Sequence, residues 1–342
     1  MNNSKDKTSK KSIMKIISYL IPVFLFGAMV IILIVEKTTL KNSLTVIKTM
    51  PLWVVSLAVL AQIISYTGSG YMLKEIMSIG NSKLTVFRGV LITLAAASIG
   101  LVAGGWVASA ATVFYWTSRD KKAKGEAAIA GVLPSVYNTL ILVALAIFGM
   151  AYLIFHDQLS KPQFYVYLFT LIFSILVVGL LAYGLKRQEQ THKILRSLTT
   201  KLNKITKKEH NLESLEVKLE QFYSEMKVFG KRKWMKPALG SLTMIVFDML
   251  TLYFFFMAAG VYVKPGILIA GYSISVLLGR SLFFIPGGAG VVEGGMAAMY
   301  TNLGIHSHIT VIAVLGYRLV SFWIPILIGF AMTSLLKKTE KQ

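Results

Sequence analysis

The sequence predicts an all-α polytopic membrane protein, and its bulk composition is the first reason. Of its 342 residues, 55% are hydrophobic and only 15% are charged, and the mean hydropathy is +0.65. A soluble protein has about a quarter of its residues charged, whereas lipid solvates the apolar surface of a membrane protein. The composition therefore excludes the two or three soluble domains that this length would otherwise suggest.

The net charge of +21 is the second observation, since 36 basic residues face only 15 acidic ones. Such a surplus suits either nucleic acid or a cytoplasmic surface next to anionic lipid. The basic residues lie between apolar segments, so we expect an anionic membrane surface as the partner and no nucleic acid. The absence of cysteine excludes disulfides, thiolate nucleophiles and cysteine-based metal sites.

Six apolar segments are long enough to cross a bilayer, which takes about 20 helical residues. They cover residues 16–35, 52–72, 127–155, 164–185, 237–260 and 309–336. The first segment follows a basic arm, residues 1–15, and no small-residue cleavage site comes after it. We expect a retained anchor and not a removed signal peptide.

Two further apolar segments, 89–118 and 267–303, are too long for one comfortable crossing. Each is interrupted near its middle by glycine, at Gly104-Gly105 and in the run Pro286-Gly-Gly-Ala-Gly290. Glycine and proline weaken a helix interior, so each segment is predicted to be a broken helical hairpin. The alternative at the first break is tight packing, in which the glycines let two helices approach.

The distribution of basic residues predicts the orientation of these segments. The linker 186–236 carries 14 basic and 6 acidic residues, so the positive-inside rule assigns it to the cytoplasm. If 89–118 crossed once, the linker would lie outside; we therefore predict that 89–118 and 267–303 are re-entrant. Both termini, including the tail 337–342, then lie in the cytoplasm. The rule leaves open two short crossings in place of each hairpin.

The two broken segments predict an inverted repeat. A shift of 183 positions superposes Gly104-Gly105 on Gly287-Gly288 and Ile129-Ala130 on Ile312-Ala313. The first membrane unit would cover residues 16–185 and the second 237–336, each with a hairpin between crossing helices. Because the hairpins enter from opposite faces, the units are related by inversion, an arrangement typical of transporters with broken helices.

Four charged residues fall inside the predicted second unit: Asp248, Arg280, Glu293 and Arg318. An isolated charge at the bilayer centre costs about 2.5 kcal/mol or more, so such residues pair or line water. One hypothesis is two structural ion pairs, Glu293–Arg318 and Asp248–Arg280. The other is that an arginine binds a lipid phosphate while Glu293 meets a cationic or hydroxylated head group. The sequence is consistent with both hypotheses.

The linker is predicted to contain two amphipathic helices, because apolar residues recur with heptad-like spacing from Leu195 to Ile205 and again from Leu212 to Phe229. They could pack as a hairpin, lie on anionic head groups or pair with another subunit.

No catalytic or metal site and no cofactor are expected. The five histidines lie in loops or the linker, and His306 and His308 lack a nearby carboxylate. No phosphate-binding loop is present.

The run Phe-Ile-Pro-Gly-Gly-Ala-Gly-Val-Val-Glu at 284–293, followed by Tyr317-Arg318 and Pro325, resembles the membrane domain of lysylphosphatidylglycerol synthase/flippases (multiple peptide resistance factors). The specific motif covers some 45 residues, and a broader resemblance runs from about 15 to 336. In the first unit Ala103 stands where the family commonly has proline. The soluble aminoacyl-transferase domain of full-length members has no counterpart before Gln342, so we do not expect this chain to synthesise the lipid alone.

The resemblance implies a flippase of the cytoplasmic membrane for aminoacylated phosphatidylglycerol or a related phospholipid or glycolipid. A membrane-embedded head-group transferase, or the membrane subunit of one, is the alternative, and a scaffold whose linker helices recruit partners is a third. A homo-oligomer or a partner lipid synthase would fit either of the first two. The predicted translocation path is lined by Asp248, Arg280, Glu293, Tyr317, Arg318, Gly104, Gly105, Pro286, Gly287, Gly288 and Gly290.

Overall fold

The computed structural model describes residues 50–78, 82–103, 105–118, 124–193, 234–281 and 286–338, together with single positions outside these ranges. The predicted arm 1–15, the first predicted span 16–35, Gly104 and most of the linker 186–236 lie outside the described residues. All regular structure in the described part is helical, which confirms the predicted fold class.

The chain forms ten α-helices over the described ranges. They are α1 Leu52–Met77, α2 Val86–Ala103, α3 Trp106–Thr117, α4 Lys124–Phe155, α5 Lys161–Lys186, α6 Met235–Ala258, α7 Pro265–Ser281, α8 Val291–Asn302, α9 Ser307–Arg318 and α10 Ile324–Lys338. A 3₁₀ turn, Pro286–Gly288, lies between α7 and α8, and a π-helical turn, Leu319–Trp323, joins α9 to α10.

Six helices of the described part are long and apolar enough to span a membrane: Leu52–Met77, Val86–Ala103, Glu126–Phe155, Lys161–Leu180, Met235–Ala258 and Ser307–Thr333. Five of them coincide with predicted spans. The sixth, Val86–Ala103, is the first arm of the segment predicted as re-entrant. The break near Gly104 divides that segment unequally, into arms of 18 and 12 residues, so the first arm alone reaches spanning length.

Both broken segments form helical hairpins whose arms pack on each other. In the first, the Ser109 hydroxyl of α3 donates to the Ala96 carbonyl of α2 at 2.9 Å. In the second, the Tyr300 hydroxyl of α8 donates to the Leu268 carbonyl of α7 at 2.9 Å. The hairpins are therefore present, while their re-entrant course and the inverted repeat stay predictions.

The most extensive helix pair is α1 with α6, the helices that precede the two hairpins. They approach closely because glycine faces glycine: a methyl group placed on Gly68 would lie 2.8 Å from the Gly240 carbonyl oxygen. The larger hydrophobic core lies around α6, α7 and α8, with Phe255, Phe256 and Tyr300 fully buried. A smaller one joins α1 to the first hairpin around Ile76 and Trp116.

Candidate functional site

The tips of the two hairpins are neighbours in the interior of the protein. A methyl group placed on Gly287, in the second turn, would lie 2.5 Å from Cζ of Phe322 and 3.3 Å from Cδ1 of Leu101. Leu101 belongs to the last turn of α2, directly before the first break. The folding of the chain thus brings together the two glycine turns that the sequence placed 183 residues apart.

The second turn needs its glycines for conformational reasons. Gly287, Gly288 and Gly290 have φ values of 63°, 63° and 80°, in the left-handed region that other residues rarely adopt. Pro286 begins the short 3₁₀ turn that these glycines continue. The Pro-Gly-Gly-Ala-Gly run therefore lies in the turn of the second hairpin and leads directly into α8.

In the first turn, the structure describes one of the two glycines, Gly105. Gly105 has φ 67°, and its N–H donates to the Gly100 carbonyl at 2.6 Å. α3 begins at the next residue. The partner glycine of the predicted turn, Gly104, lies outside the described residues.

Glu293 and Arg318 form the ion pair that the first sequence hypothesis predicts. Nε of Arg318 donates to Oε1 of Glu293 at 2.7 Å, and both side chains are largely buried. The second carboxylate oxygen of Glu293 accepts the N–H of Gly290 at 2.8 Å. Glu293 therefore caps α8 at its N-terminus, where the helix dipole favours negative charge, and fixes Arg318 next to the second turn.

Arg318 also contacts the π-helical turn. Its guanidinium carbon lies 4.0 Å from the centre of the Phe322 ring, a cation–π geometry. Nη2 of Arg318 is buried and has no hydrogen-bond partner among the described residues. Single π turns inside α-helices frequently occur at functional sites, and this one brings the aromatic ring against the second hairpin tip.

Other buried polar atoms close to this region also have no partner in the described part of the chain. They are Oε1 of Gln62, Oγ of Ser321 and Nε1 of Trp323. A buried polar group without a hydrogen bond costs about 1–3 kcal/mol, so such groups normally bond to water or to a ligand. They indicate a polar interior around the π turn.

Asp248 accepts hydrogen bonds from two tyrosines and not from an arginine. The hydroxyls of Tyr272 and Tyr317 donate to its Oδ2 at 2.6 and 2.7 Å, and Gln62 approaches the same carboxylate. The predicted Asp248–Arg280 ion pair is wrong: no carboxylate of the described residues lies within ion-pair distance of Arg280. Arg280 follows Tyr272 by two helical turns, and its side chain is exposed.

Sequence reasoning missed Gln62, Tyr66, Tyr272 and Phe322. The Tyr66 hydroxyl of α1 donates to the Ser321 carbonyl at 2.9 Å, linking α1 to the π turn. Aromatic and amide residues at single positions in apolar helices give no pattern that separates a polar cluster from ordinary core. The only available signal was the adjacency of Tyr317 to Arg318. No group of three or more metal-ligating side chains occurs within the described ranges.

The helices and the paired hairpins define a multi-pass, all-helical membrane protein with a buried charged cluster. The chain belongs to the family described as the lysylphosphatidylglycerol synthase TM region, whose family model matches residues 19–329. The resemblance carried by the Pro-Gly-Gly-x-Gly-x-x-Glu run is thereby confirmed.

Two archaeal relatives are UPF0104 membrane proteins. The one from Methanocaldococcus jannaschii is 24% identical over 233 residues, which cover 66% of this chain and 67% of the relative. The one from Pyrococcus horikoshii is 32% identical over 101 residues, 29% of either chain. No solved structure matches the chain.

Proposed function

We propose that the protein is a flippase that moves a polar-headed lipid between the leaflets of the cell membrane. The observation that carries this proposal is the meeting of the two hairpin tips beside the Glu293–Arg318 pair. Broken helices with unpaired backbone groups are tolerated within a membrane only inside protein or around a polar cavity. Transporters use such breaks to bind substrate near the bilayer midplane.

The packing of the helices supports the inverted repeat within this proposal. Helix α4, which follows the first hairpin, packs on α7, the first arm of the second hairpin. Reciprocally, α10, which ends the second unit, packs on α2, the first arm of the first hairpin. Two units related by a two-fold axis would produce this exchange, with α1 and α6 paired at the axis.

The charged residues suggest which chemistry the path would recognise. Arg318 retains a buried donor, Nη2, beyond its bond to Glu293, and Arg280 is exposed without a carboxylate partner among the described residues. Guanidinium groups suit phosphate oxygens, and Glu293 suits an ammonium or hydroxyl group. We propose that the head group passes Arg280, Glu293 and Arg318 while its acyl chains stay in lipid. Aminoacylated phosphatidylglycerol offers both kinds of group.

Some residues of the predicted path determine the shape of the path and do not bind the head group. Gly105, Gly287, Gly288 and Gly290 add no side chains to the turns, and Pro286 begins the second turn. Asp248 with Tyr317 borders the same region. In the proposed orientation the basic linker and both termini face the cytoplasm, because Lys and Arg concentrate on that side. A partner lipid synthase would supply the lipid on the cytoplasmic leaflet.

Reconstitution with labelled lipids tests the function. Purified protein in liposomes should expose acyl-chain-labelled phosphatidylglycerol of the inner leaflet to an external quencher faster than empty liposomes do. Arg318→Ala and Glu293→Gln should slow this exchange about tenfold or more, since loss of a charged hydrogen bond costs about 1.5–3 kcal/mol. Arg187→Ala, an exposed change at the end of α5, is the matched control and should keep the wild-type rate.

Two results would contradict the proposal at different levels. Wild-type protein that moves no polar-headed lipid rules out the flippase. Folded Glu293→Gln and Arg318→Ala variants that exchange lipid at the wild-type rate rule out the residue assignment alone.

The second candidate is a head-group transferase, which is favoured by the word synthase in the family description. Such an enzyme would join an amino acid to phosphatidylglycerol without moving the lipid. Formation of aminoacylated lipid by the purified chain from aminoacyl-tRNA and phosphatidylglycerol would select this function over transport.

A further inference from the structure

Asp248 is a carboxylate within α6 that has no basic partner in the described part of the chain. Among the described residues, no lysine, arginine or histidine nitrogen lies within 4.0 Å of it, and its hydrogen bonds come from Tyr272 and Tyr317. A buried ionised carboxylate normally pairs with a cation, and Arg318, on the same helix as Tyr317, pairs with Glu293 instead. The lipid path proposed above gives this carboxylate no task of its own.

The surroundings of Asp248 come from every helix packed on α6 at this level. Helix α1 contributes Gln62 and Tyr66, α7 contributes Tyr272 and Arg280, and α9 contributes Tyr317 and Arg318. Helix α4 also packs on α6, but its charged residues are confined to its first turn. Asp248 thus lies against α1, α7 and α9, which belong to both membrane units.

We propose that Asp248 is the proton-binding site through which the protein couples lipid movement to a proton gradient. In the observed geometry the carboxylate accepts from two hydroxyls, as an ionised acid does. Both tyrosines donate to the same oxygen, Oδ2. A proton bound to Oδ2 makes that oxygen a donor and a poor acceptor, so at least one of the two tyrosines loses its acceptor. Release of Tyr317 would free α9 directly beside Arg318 and its bond to Glu293. No covalent bond other than that to the proton forms or breaks.

The route to Asp248 is also polar. Oε1 of Gln62 and Oγ of Ser321 are buried without a partner among the described residues, and the Tyr66 hydroxyl binds the Ser321 carbonyl. Water bonded to such groups could carry the proton between the carboxylate and either surface. Ionisable residues within membrane helices commonly serve as proton relays in transporters.

The inference rests on the proposed flippase and is tested separately from it. Full-length protein is reconstituted with acyl-chain-labelled phosphatidylglycerol, with the membrane voltage clamped to zero, and the leaflet distribution is measured with and without a pH gradient. With one proton per lipid, a gradient of one pH unit should produce up to about tenfold enrichment in one leaflet. Asp248→Asn should lose this enrichment.

Two variants keep the test decisive. Asp157→Asn makes the same chemical change in the loop after α4, at a φ of 52° that asparagine tolerates, and should keep the wild-type enrichment. Tyr272→Phe leaves the carboxylate in place and removes one donor, so it should retain enrichment with a displaced pH profile, even if Asp248→Asn does not fold.

The outcomes separate the two proposals. Lipid movement in the wild type that ignores the pH gradient overturns the proton site and leaves the flippase standing. Enrichment retained by Asp248→Asn, or an unchanged pH profile in Tyr272→Phe, overturns it as well. No lipid movement under any condition overturns the flippase itself.

Discussion

The Glu293–Arg318 pair is buried, and its charges must be compensated within the protein. Burial of an ion pair loses several kcal/mol of hydration per ion, which good geometry and additional hydrogen bonds offset. Glu293 uses both oxygens, one for Arg318 and one for the Gly290 N–H. Arg318 adds its stacking on Phe322. The pair therefore holds α8, α9 and the second turn in one arrangement.

Removal of one partner is expected to destabilise the protein strongly. Glu293→Gln leaves Arg318 buried without a counter-charge and should lower the free energy of unfolding by about 3 kcal/mol or more. Thermal unfolding of the purified protein in detergent measures this as a lower midpoint temperature.

A double-mutant cycle supplies the control for this prediction. Glu293→Gln combined with Arg318→Gln removes both charges, so its loss should be clearly smaller than the sum of the single losses. Additive losses would show that the two residues do not interact in the folded protein.

At single residues, the sequence identified the charges but only some of their partners. Because an isolated charge is costly in lipid, the sequence predicted that four residues pair or line water: Asp248, Arg280, Glu293 and Arg318. The Glu293–Arg318 pair was predictable because helix α8 starts at a recognisable glycine turn. The Tyr272 and Tyr317 donors to Asp248 were not, because hydroxyls on other helices satisfy a carboxylate as well as an arginine does.

Among the helices, the crossing of α1 and α6 depends on two glycines. A methyl group on Gly240 would lie 2.8 Å from the backbone nitrogen of Met72 and 2.9 Å from the Gly68 carbonyl oxygen. These neighbours are backbone atoms, which cannot change rotamer to make room, so the two helices would have to move apart. Small residues at helix interfaces commonly allow this close approach in membranes.

Gly240→Ala is therefore expected to destabilise the helix pair by about 1–3 kcal/mol, the usual cost of overpacking. Gly179→Ala is the matched control, because, outside the backbone of α5 itself, no atom of the described residues lies within 4 Å of a methyl group at that position. The control should be neutral or gain up to about 1 kcal/mol from helix propensity. Thermal unfolding of both variants in detergent compares them, and equal midpoints would contradict this account of the crossing.

Hydropathy and glycine content predicted where the helices lie better than they predicted how long each helix is. Five predicted spans are confirmed, and both glycine runs coincide with breaks between helices. The spanning length of α2 was not anticipated, because glycine positions reveal where a helix ends but not how the arms divide the membrane. The π turn at Leu319–Trp323 left no sequence signal, since the residues in it also occur in regular membrane helices.

For the whole molecule, the order of elements was predictable but the contacts between units were not. A repeated order of helix, hairpin and helix follows from the glycine runs and their spacing. The exchange in which α4 covers α7 and α10 covers α2 depends on surfaces that only the folded chain brings together. The meeting of Leu101 with Gly287 has the same origin.

Cysteine labelling should establish the course of the chain through the membrane. The natural sequence contains no cysteine, so single cysteines can be introduced without removing others. In intact cells, Lys83→Cys, Ser118→Cys and Gln188→Cys should resist an impermeant thiol reagent until the membrane is opened, because all three would face the cytoplasm. Gln158→Cys and Tyr262→Cys, on the opposite ends of α4 and α6, should react at once. Labelling of Ser118→Cys from outside, with Lys83→Cys protected, would mean that the first hairpin crosses the membrane, and the opposed hairpins of the proposed path would be excluded.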